Sequence, residues 1–128
     1  MAGLFDENFK GYGWEDIELG YRLKQMRVPL YYLPSAANFH DHPVSADGMI
    51  ERKFEMGRSA ALFLRKHPNF EVKMFIGMNP LAMGIFYFIK KRPSWLERIR
   101  HKAAVSNFFR YLLEEYQYRL GLTEGLSK

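Results

Sequence analysis

Two adjacent carboxylates, Glu15 and Asp16, follow a glycine-containing loop and precede a stretch with helical spacing. Gly11 and Gly13 allow this loop to make a tight approach. Acidic residues are favoured in the first turn of a helix, because the free N–H groups and the helix dipole stabilise negative charge. The same surroundings keep a carboxylate ionised near neutral pH, as a general base requires. The pattern therefore indicates either a catalytic base or an ordinary acidic helix start.

A second group that could do chemistry lies between Phe39 and Pro43, where His40 and His42 flank Asp41. Neutral imidazole suits a divalent metal ion, and oxygen ligands commonly complete the shell of such an ion. Three ligands in one turn are too few for a closed structural zinc site. The spacing indicates either part of a metal site or a surface turn with two solvated histidines.

Apolar spacing in the first third predicts the elements that would position these groups. Ile17 to Met26 has partial helical spacing, and Pro29 beyond it favours a stop. Leu30 to Leu33 is a short apolar and aromatic run that predicts a buried strand. Ala36 to His40 is a candidate second strand.

The character of the sequence changes near Pro43, beyond which helical spacing dominates. Ser45 to Lys66 predicts one long helix, and Asn79-Pro80 begins a short apolar helix that ends at Lys90 to Arg92. Ser94, with Glu97 three residues later, predicts the capped start of a last helix that ends at Gly121.

The segment Gly3 to Phe9, followed by the pattern Gly-Trp-Glu-Asp-x-Glu-Leu-x-x-Arg-Leu from Gly13 to Leu23, resembles the acceptor side of family 2, GT-A-type glycosyltransferases. In that family a glycine-rich loop leads into a Glu-Asp pair at a helix start, and then a strand leads to a histidine. The resemblance covers about the first third of the chain. It implies an α/β parent fold, the nucleotide-diphospho-sugar transferase fold, and we expect these 128 residues to be mostly α-helical with one or two short strands.

The resemblance implies roles for the residues of this motif. Asp16 would be the general base that takes the proton of an acceptor hydroxyl, and Glu15 would hydrogen-bond the acceptor sugar. Gly13 and Trp14 would help bind the acceptor, since the indole offers a flat face to a sugar ring. Glu18 is expected to play a structural part, in an i, i+4 pair with Arg22.

The resemblance also implies a divalent cation, manganese or magnesium, that bridges the donor diphosphate. His40 is the expected ligand, with His42 as the alternative. The family's donor half supplies an Asp-x-Asp pair, and no Asp-x-Asp occurs in this sequence. We therefore expect residues 1–42 to be the acceptor-side end of a catalytic domain and residues 43–128 a helical carboxy-terminal extension. As a fragment, the chain is expected to be inactive alone and to self-associate.

Inverting transfer from a nucleotide-sugar donor to a hydroxyl acceptor, such as a glycan or a lipid-linked sugar, is thus the expected function of the full-length protein. The alternative is a non-catalytic helical module that docks on a membrane surface or a partner protein. Met74 to Arg92, with Trp95, combines apolar residues with flanking cations, which fits either a membrane surface or a helix in a protein core. We expect Arg52, Lys53 and Arg58 to form a basic face that is exposed to solvent.

The amino-acid composition and net charge limit the kinds of site and partner that this chain can have. Apolar residues make up 48% of the chain, enough for a core, and cysteine is absent, which excludes thiolate metal sites. The net charge of +5 favours an anionic partner. No nucleic acid is expected, because no nucleic-acid motif is recognisable.

The longest strongly apolar stretch, Leu81 to Ile89, has nine residues, whereas a membrane-spanning helix needs about 20. We expect a cytoplasmic location. The protein could in addition attach peripherally to the inner face of a membrane.

Overall fold

The computed structural model describes residues 3–39 and 45–128. In this part of the chain six helices follow one another: α1 (Glu15–Gln25), α2 (Ala46–Lys66), α3 (Phe70–Phe75), α4 (Pro80–Lys90), α5 (Pro93–Ala103) and α6 (Asn107–Leu126). None of the helices described is both long and apolar enough to cross a membrane.

Side-chain caps explain where three of these helices begin. Ser45, Asn69 and Asn79 each accept a hydrogen bond from a backbone N–H in the first turn of α2, α3 and α4, respectively. The long helix after Ser45 and the short apolar helix after Asn79 are therefore confirmed. The six-residue α3 was not predicted, although Asn69 is the kind of residue that caps a helix.

The two longest helices, α2 and α6, run in the same direction and approach each other closely at three glycines. A Cβ on Gly57 would lie 2.7 Å from the backbone nitrogen of Leu122, and a Cβ on Gly125 would lie 2.7 Å from the Cβ of Ala61. A Cβ on Gly121 would overlap the carbonyl group of Phe54. The absence of side chains at these positions thus sets the spacing of the central helix pair.

Two apolar clusters form on this helix pair. The first joins the loop before α1 to α2, α3 and the end of α6, with Trp14, Phe63, Val72, Ile76 and Leu122 at its centre. The second joins α4, α5 and the first half of α6, with Phe86, Ile89, Ile99, Leu113 and Tyr116 at its centre. Because Trp14 packs against α2, the residues around α1 share a core with the helical part of the chain. The domain boundary near Pro43 stays a prediction.

The expected α/β architecture with one or two short strands is wrong for the described residues, which contain helices and no strand. Leu30 to Leu33 has no regular secondary structure, and Leu30 and Tyr32 are 98% and 89% exposed. A strand needs a neighbour to receive its backbone hydrogen bonds. The aromatic and apolar composition of this run supplies strand propensity, but residues 3–39 and 45–128 supply no second strand. The predicted second strand is likewise absent as far as Phe39, and its last residue, His40, lies outside the described residues.

The last helix was also predicted wrongly. Instead of one helix from Ser94 to Gly121, α5 ends at Ala103 and α6 begins at Asn107. The break turns α6 back along α5, so that Ile99 and Leu113 meet in one cluster. Ser94 makes no cap, because α5 starts at Pro93. Gly121 lies inside α6, where it allows the contact with α2.

Candidate functional site

The loop before α1 enters the helix through two consecutive residues in the left-handed region, Gly13 with φ 79° and Trp14 with φ 77°. Glycine adopts this conformation freely, but for a tryptophan it costs about 1–3 kcal/mol. The carbonyl of Trp14 accepts a hydrogen bond from the N–H of Glu18 at 2.8 Å, which closes the first turn. Backbone strain is therefore held directly before the adjacent carboxylates Glu15 and Asp16.

The ring of Trp14 holds this strained turn in place. It is 7% exposed, stacks on the ring of Phe63 with 5.5 Å between centroids and 28° between the ring planes, and makes an edge contact with Phe75 at 5.8 Å. Burial of an indole among aromatic rings supplies more stabilisation than the strained φ costs. The structure thus gives this ring a packing role, and its contact with an acceptor sugar stays a prediction.

A buried carboxylate fixes α1 to the rest of the protein. Glu18 is 1% exposed, and Arg22 donates hydrogen bonds to both of its oxygens at 2.9 Å, which confirms the expected i, i+4 pair. Nε2 of His67, directly after α2, lies within hydrogen-bond distance of the same carboxylate, at 3.1 Å. Arg22 also donates to the carbonyl of Leu4 at 2.8 Å. One carboxylate therefore connects the amino-terminal loop, α1 and α2.

Burial by itself raises the pKa of Glu18, but the hydrogen bonds from Arg22 and His67 outweigh burial and hold the pKa below its ordinary value. Glu18 is therefore ionised at neutral pH. Because an ionised carboxylate only accepts hydrogen bonds, Nε2 of His67 must carry the proton that lies between the two groups.

Asp16 and Glu15 occupy different environments in the first turn of α1. Asp16 is exposed, and its Oδ1 accepts a hydrogen bond from the N–H of Ile17 at 2.7 Å. Glu15 is half-buried, and its Oε2 is buried without a hydrogen-bond partner among the residues described. A buried carboxylate oxygen of this kind has a strong tendency to accept a hydrogen bond. The pair therefore offers one solvent-facing base and one unpaired acceptor.

A cleft of 230 Å³ lies between α1 and α3; it begins at Ile17, the residue after Asp16, and neither Glu15 nor Asp16 lines it. Its α1 wall includes Ile17, Gly20 and Tyr21, and its α3 wall includes Val72 and Phe75. Asp16 precedes Gly20 by four residues, so the two share a face of α1, and the missing side chain of Gly20 leaves the space beside Asp16 open. The cleft is mostly apolar, with Lys24 and Glu71 paired across it at 2.6 Å.

The predicted metal ligands His40 and His42 lie outside the described residues. Within the described ranges, no cluster of three or more histidine, aspartate or glutamate side chains could hold a metal ion. The described residues by themselves therefore do not form a site for the expected manganese or magnesium, and the two histidines stay predictions.

Two contacts of this region were missed by sequence reasoning. His67 contacts Glu18, which lies 49 residues earlier, and Lys66 forms an ion pair with Asp6 in the amino-terminal loop. Neither contact belongs to a local motif, so no spacing in the sequence could have shown it. Apart from Glu18, only Asp6 among these residues could be given a role from local sequence, because its side chain accepts a hydrogen bond from the N–H of Asn8, as is typical of a turn.

Basic residues also gather on a second cavity, of 360 Å³, between the amino-terminal loop, α2 and the end of α6. Its lining includes Lys10, Arg58, Arg65 and Lys128, with Glu55 as its acidic member. Arg58 thus faces this cavity, while the guanidinium of Arg52 lies 4.8 Å from the centre of the Tyr12 ring.

Comparison with known proteins gives a partial similarity to a sugar-transferring enzyme. The chain is 35% identical over 90 residues to validoxylamine A glucosyltransferase from Streptomyces hygroscopicus subsp. jinggangensis (strain 5008), a match that covers 66% of this chain and 19% of the relative. It is also 35% identical over 90 residues to the protein of that name from subsp. limoneus, covering 18% of that relative. The chain thus spans about a fifth of the length of these curated relatives.

No protein-family model matches the chain, and no solved structure matches it. The similarity to two glucosyltransferases supports a relationship to glycosyltransferases.

Proposed function

We propose that this chain forms the acceptor side of an inverting glycosyltransferase of family 2, in which Asp16 is the general base. The observation that carries the proposal is the position of Asp16: it is exposed in the first turn of α1, directly after a strained turn and on a helix fixed by the buried Glu18. The similarity to two glucosyltransferases supports the same class of reaction.

In the proposed step, a carboxylate oxygen of Asp16 takes the proton of an acceptor hydroxyl as its oxygen attacks the anomeric carbon of the donor sugar. The bond between this carbon and the nucleoside diphosphate breaks, and the diphosphate leaves with the electron pair. Attack from the side opposite the leaving group inverts the configuration. Asp16 is well suited to the first part, because one of its oxygens is held by the N–H of Ile17 while the side chain stays open to solvent.

Glu15 would orient the acceptor. Its Oε2 has no hydrogen-bond partner among the described residues, but it is buried, so the side chain would have to turn outward before this oxygen could accept a hydrogen bond from a sugar hydroxyl and hold it near Asp16. We place the acceptor in the cleft between α1 and α3, because Ile17 and Gly20, which follow Asp16 on α1, line it and there is open space around Gly20. Its apolar walls suit the flat face of a sugar ring.

A divalent cation, manganese or magnesium, would stabilise the leaving diphosphate in such a reaction. We keep His40 as its expected ligand and His42 as the alternative. No part of the proton transfer assigned to Asp16 depends on this ion. Calorimetric titration of manganese into the His40→Ala and His42→Ala variants of the full-length protein, with nucleotide present, compares the two histidines. Weaker binding in the His42 variant alone would reverse the choice.

The decisive experiment replaces Asp16 with asparagine in the complete gene product and measures sugar transfer from a panel of nucleotide-sugars to a panel of hydroxyl acceptors. Turnover should fall about 100-fold or more, as expected when a general base is lost. Glu51→Gln is the matched control, because Glu51 is an exposed carboxylate in α2 and has no place in the proposed site.

Unfolding curves of both variants should overlay that of the parent protein, so that any loss of turnover reflects chemistry. Turnover of the Asp16 variant within a few-fold of the control would remove Asp16 from the mechanism.

A further inference from the structure

One side of the second apolar cluster, formed by α4, α5 and the start of α6, carries large apolar side chains that are open to solvent. We name this surface the α4–α6 face and define it by five exposed residues: Ile85, Phe88, Trp95, Phe108 and Tyr111. Their exposed fractions range from 43% for Phe88 to 68% for Phe108. Exposed apolar residues that cluster in this way mark an interaction surface rather than ordinary scatter.

A cleft of 430 Å³ opens on this face. Ile89 and Ile99, both almost fully buried, are at its base, and Phe88, Trp95 and Phe108 are at its mouth. Apart from Arg98 and Lys102, every side chain that lines the cleft is apolar. Its aliphatic base and apolar lining suit a hydrocarbon chain.

The rim of the cleft is cationic. Arg98 and Lys102 line it, the Lys102 amine lies 5.0 Å from the centre of the Phe109 ring, and the Arg92 guanidinium lies 4.3 Å from that of Phe88. Residues 80–112 contain seven lysines and arginines and one glutamate, a formal charge of +6, whereas the whole chain carries +5. The excess positive charge of the protein is therefore concentrated in the segment that carries this face, although Arg100 and Arg110 line a different cavity.

We propose that the α4–α6 face docks on an anionic lipid bilayer, with a lipid hydrocarbon chain in the cleft and lipid phosphates on Arg98 and Lys102. Anionic lipid is the partner that supplies both an apolar interior and a layer of negative charge. A second copy of the chain fits poorly, because pairing this face with itself would bring two groups of positive charge together. Nucleic-acid phosphates would pair with the cations, but nucleic acid would not fill the aliphatic interior of the cleft. The proposal is independent of the role given to Asp16.

The test measures binding of the 128-residue chain to vesicles of phosphatidylcholine and to vesicles of equal parts phosphatidylcholine and phosphatidylglycerol. Binding is expected for the anionic vesicles alone and should weaken as salt rises. Neutralising Arg98 and Lys102 together, as Arg98→Gln/Lys102→Gln, should weaken it about 30-fold, since each basic residue at an anionic surface contributes about 5-fold. The matched control is Lys10→Gln/Lys73→Gln, which removes the same charge from two exposed lysines outside the face.

Trp95 supplies a second measurement. It is one of two tryptophans, and the other, Trp14, is buried. Lipids with brominated chains should therefore quench the fluorescence of Trp95 and leave the fluorescence of Trp14 unchanged. Trp95→Ser, at a residue 45% exposed, should keep the fold and weaken binding.

Absence of binding to anionic vesicles would overturn the proposal, as would an equal loss of binding in the control variant. It would also fail if single-stranded DNA bound more tightly than the vesicles and the Arg98 and Lys102 changes abolished that binding. A dimer in sedimentation that Trp95→Ser converts to monomer would assign the face to a second copy and overturn it as well.

Discussion

Replacing Glu18 by glutamine tests the anchor that holds the candidate site on the helical core. The change preserves the size of the side chain but removes its charge and turns one acceptor oxygen into a donor amide. The carboxylate is 1% exposed and accepts hydrogen bonds from Arg22 at 2.9 Å and from His67 at 3.1 Å. In the variant, only one oxygen can accept, so either Arg22 or His67 loses its partner or His67 must change tautomer and accept from the amide.

The magnitude follows from these contacts. A hydrogen bond to a charged group contributes about 1.5–3 kcal/mol, and breaking a fully buried ion pair costs about 3–5 kcal/mol. The side chain of Arg22 is 24% exposed, so water replaces part of what it loses. We therefore expect Glu18→Gln to lower the free energy of unfolding by about 2–4 kcal/mol, or the melting temperature by about 8–16 °C for a domain of this size.

Urea unfolding at neutral pH, followed by far-ultraviolet circular dichroism, measures this loss. Glu97→Gln is the matched control, because Glu97 also pairs with an arginine, Arg100 at 3.0 Å, but is 69% exposed. An exposed ion pair contributes little, so the control should change stability by less than about 0.5 kcal/mol.

The pH dependence gives an independent check. Although burial raises the pKa of Glu18, the hydrogen bonds from Arg22 and His67 place it below the ordinary value of 4.5. Above that value the group is ionised in both the folded and the unfolded chain, and its contribution to stability is complete. As the pH falls below about 4.5, the unfolded chain binds a proton before the folded chain does, and the contribution is lost. The stability difference between the parent protein and Glu18→Gln should shrink over this range.

Two results would refute the assignment. One is a Glu18→Gln protein as stable as the Glu97→Gln control at neutral pH. The other is a stability difference that stays constant as the pH falls well below 4.5.

The remaining predictions concern the packing around this anchor. Gly121→Ala should destabilise the protein by about 1–3 kcal/mol in urea unfolding, because its methyl group would overlap the backbone of α2, whereas Gly84→Ala, with open space around it, should stabilise α4 by about 0.5–1 kcal/mol. Equal effects of the two changes would contradict the close approach of α2 and α6. Trp14→Gly should be less damaging than Trp14→Ala by about 1 kcal/mol, since both lose the ring but only glycine relieves the left-handed φ of 77°; thermal unfolding of the two variants decides the order. Tyr118→Phe should cost about 1 kcal/mol in the same assay, because the hydroxyl donates to the carbonyl of Ile76 at 3.0 Å.

Local chemistry made several helices predictable from sequence. Ser45 and Asn79 accept hydrogen bonds at the starts of α2 and α4, and these bonds involve residues three positions apart. The pair of Glu18 with Arg22 is also local, because residues four apart face each other on any helix. The sequence alone therefore determined where these helices form and that acidic residues begin α1.

The last two helices and the absent strands depended on contacts between distant segments. Gly121 has the appearance of a helix end, yet it lies inside α6 because the backbone of α2 passes there. The break after Ala103 folds α6 back along α5 and places Ile99 and Leu113 in one cluster, whereas a single continuous helix would hold them about four turns apart. Leu30 to Leu33 has the composition of a strand, but a strand forms only where another segment accepts its hydrogen bonds.

In the candidate site, too, some features follow from the local sequence and others from tertiary packing. The sequence by itself identified Glu15 and Asp16 as carboxylates in a helix's first turn, because that environment is built from neighbouring residues. Only the tertiary structure showed that Trp14 is buried against Phe63 and that His67, 49 residues away, completes the anchor on Glu18. Burial and long-range hydrogen bonds arise when separate helices pack, and packing depends on the whole chain rather than on the spacing of residues within one segment.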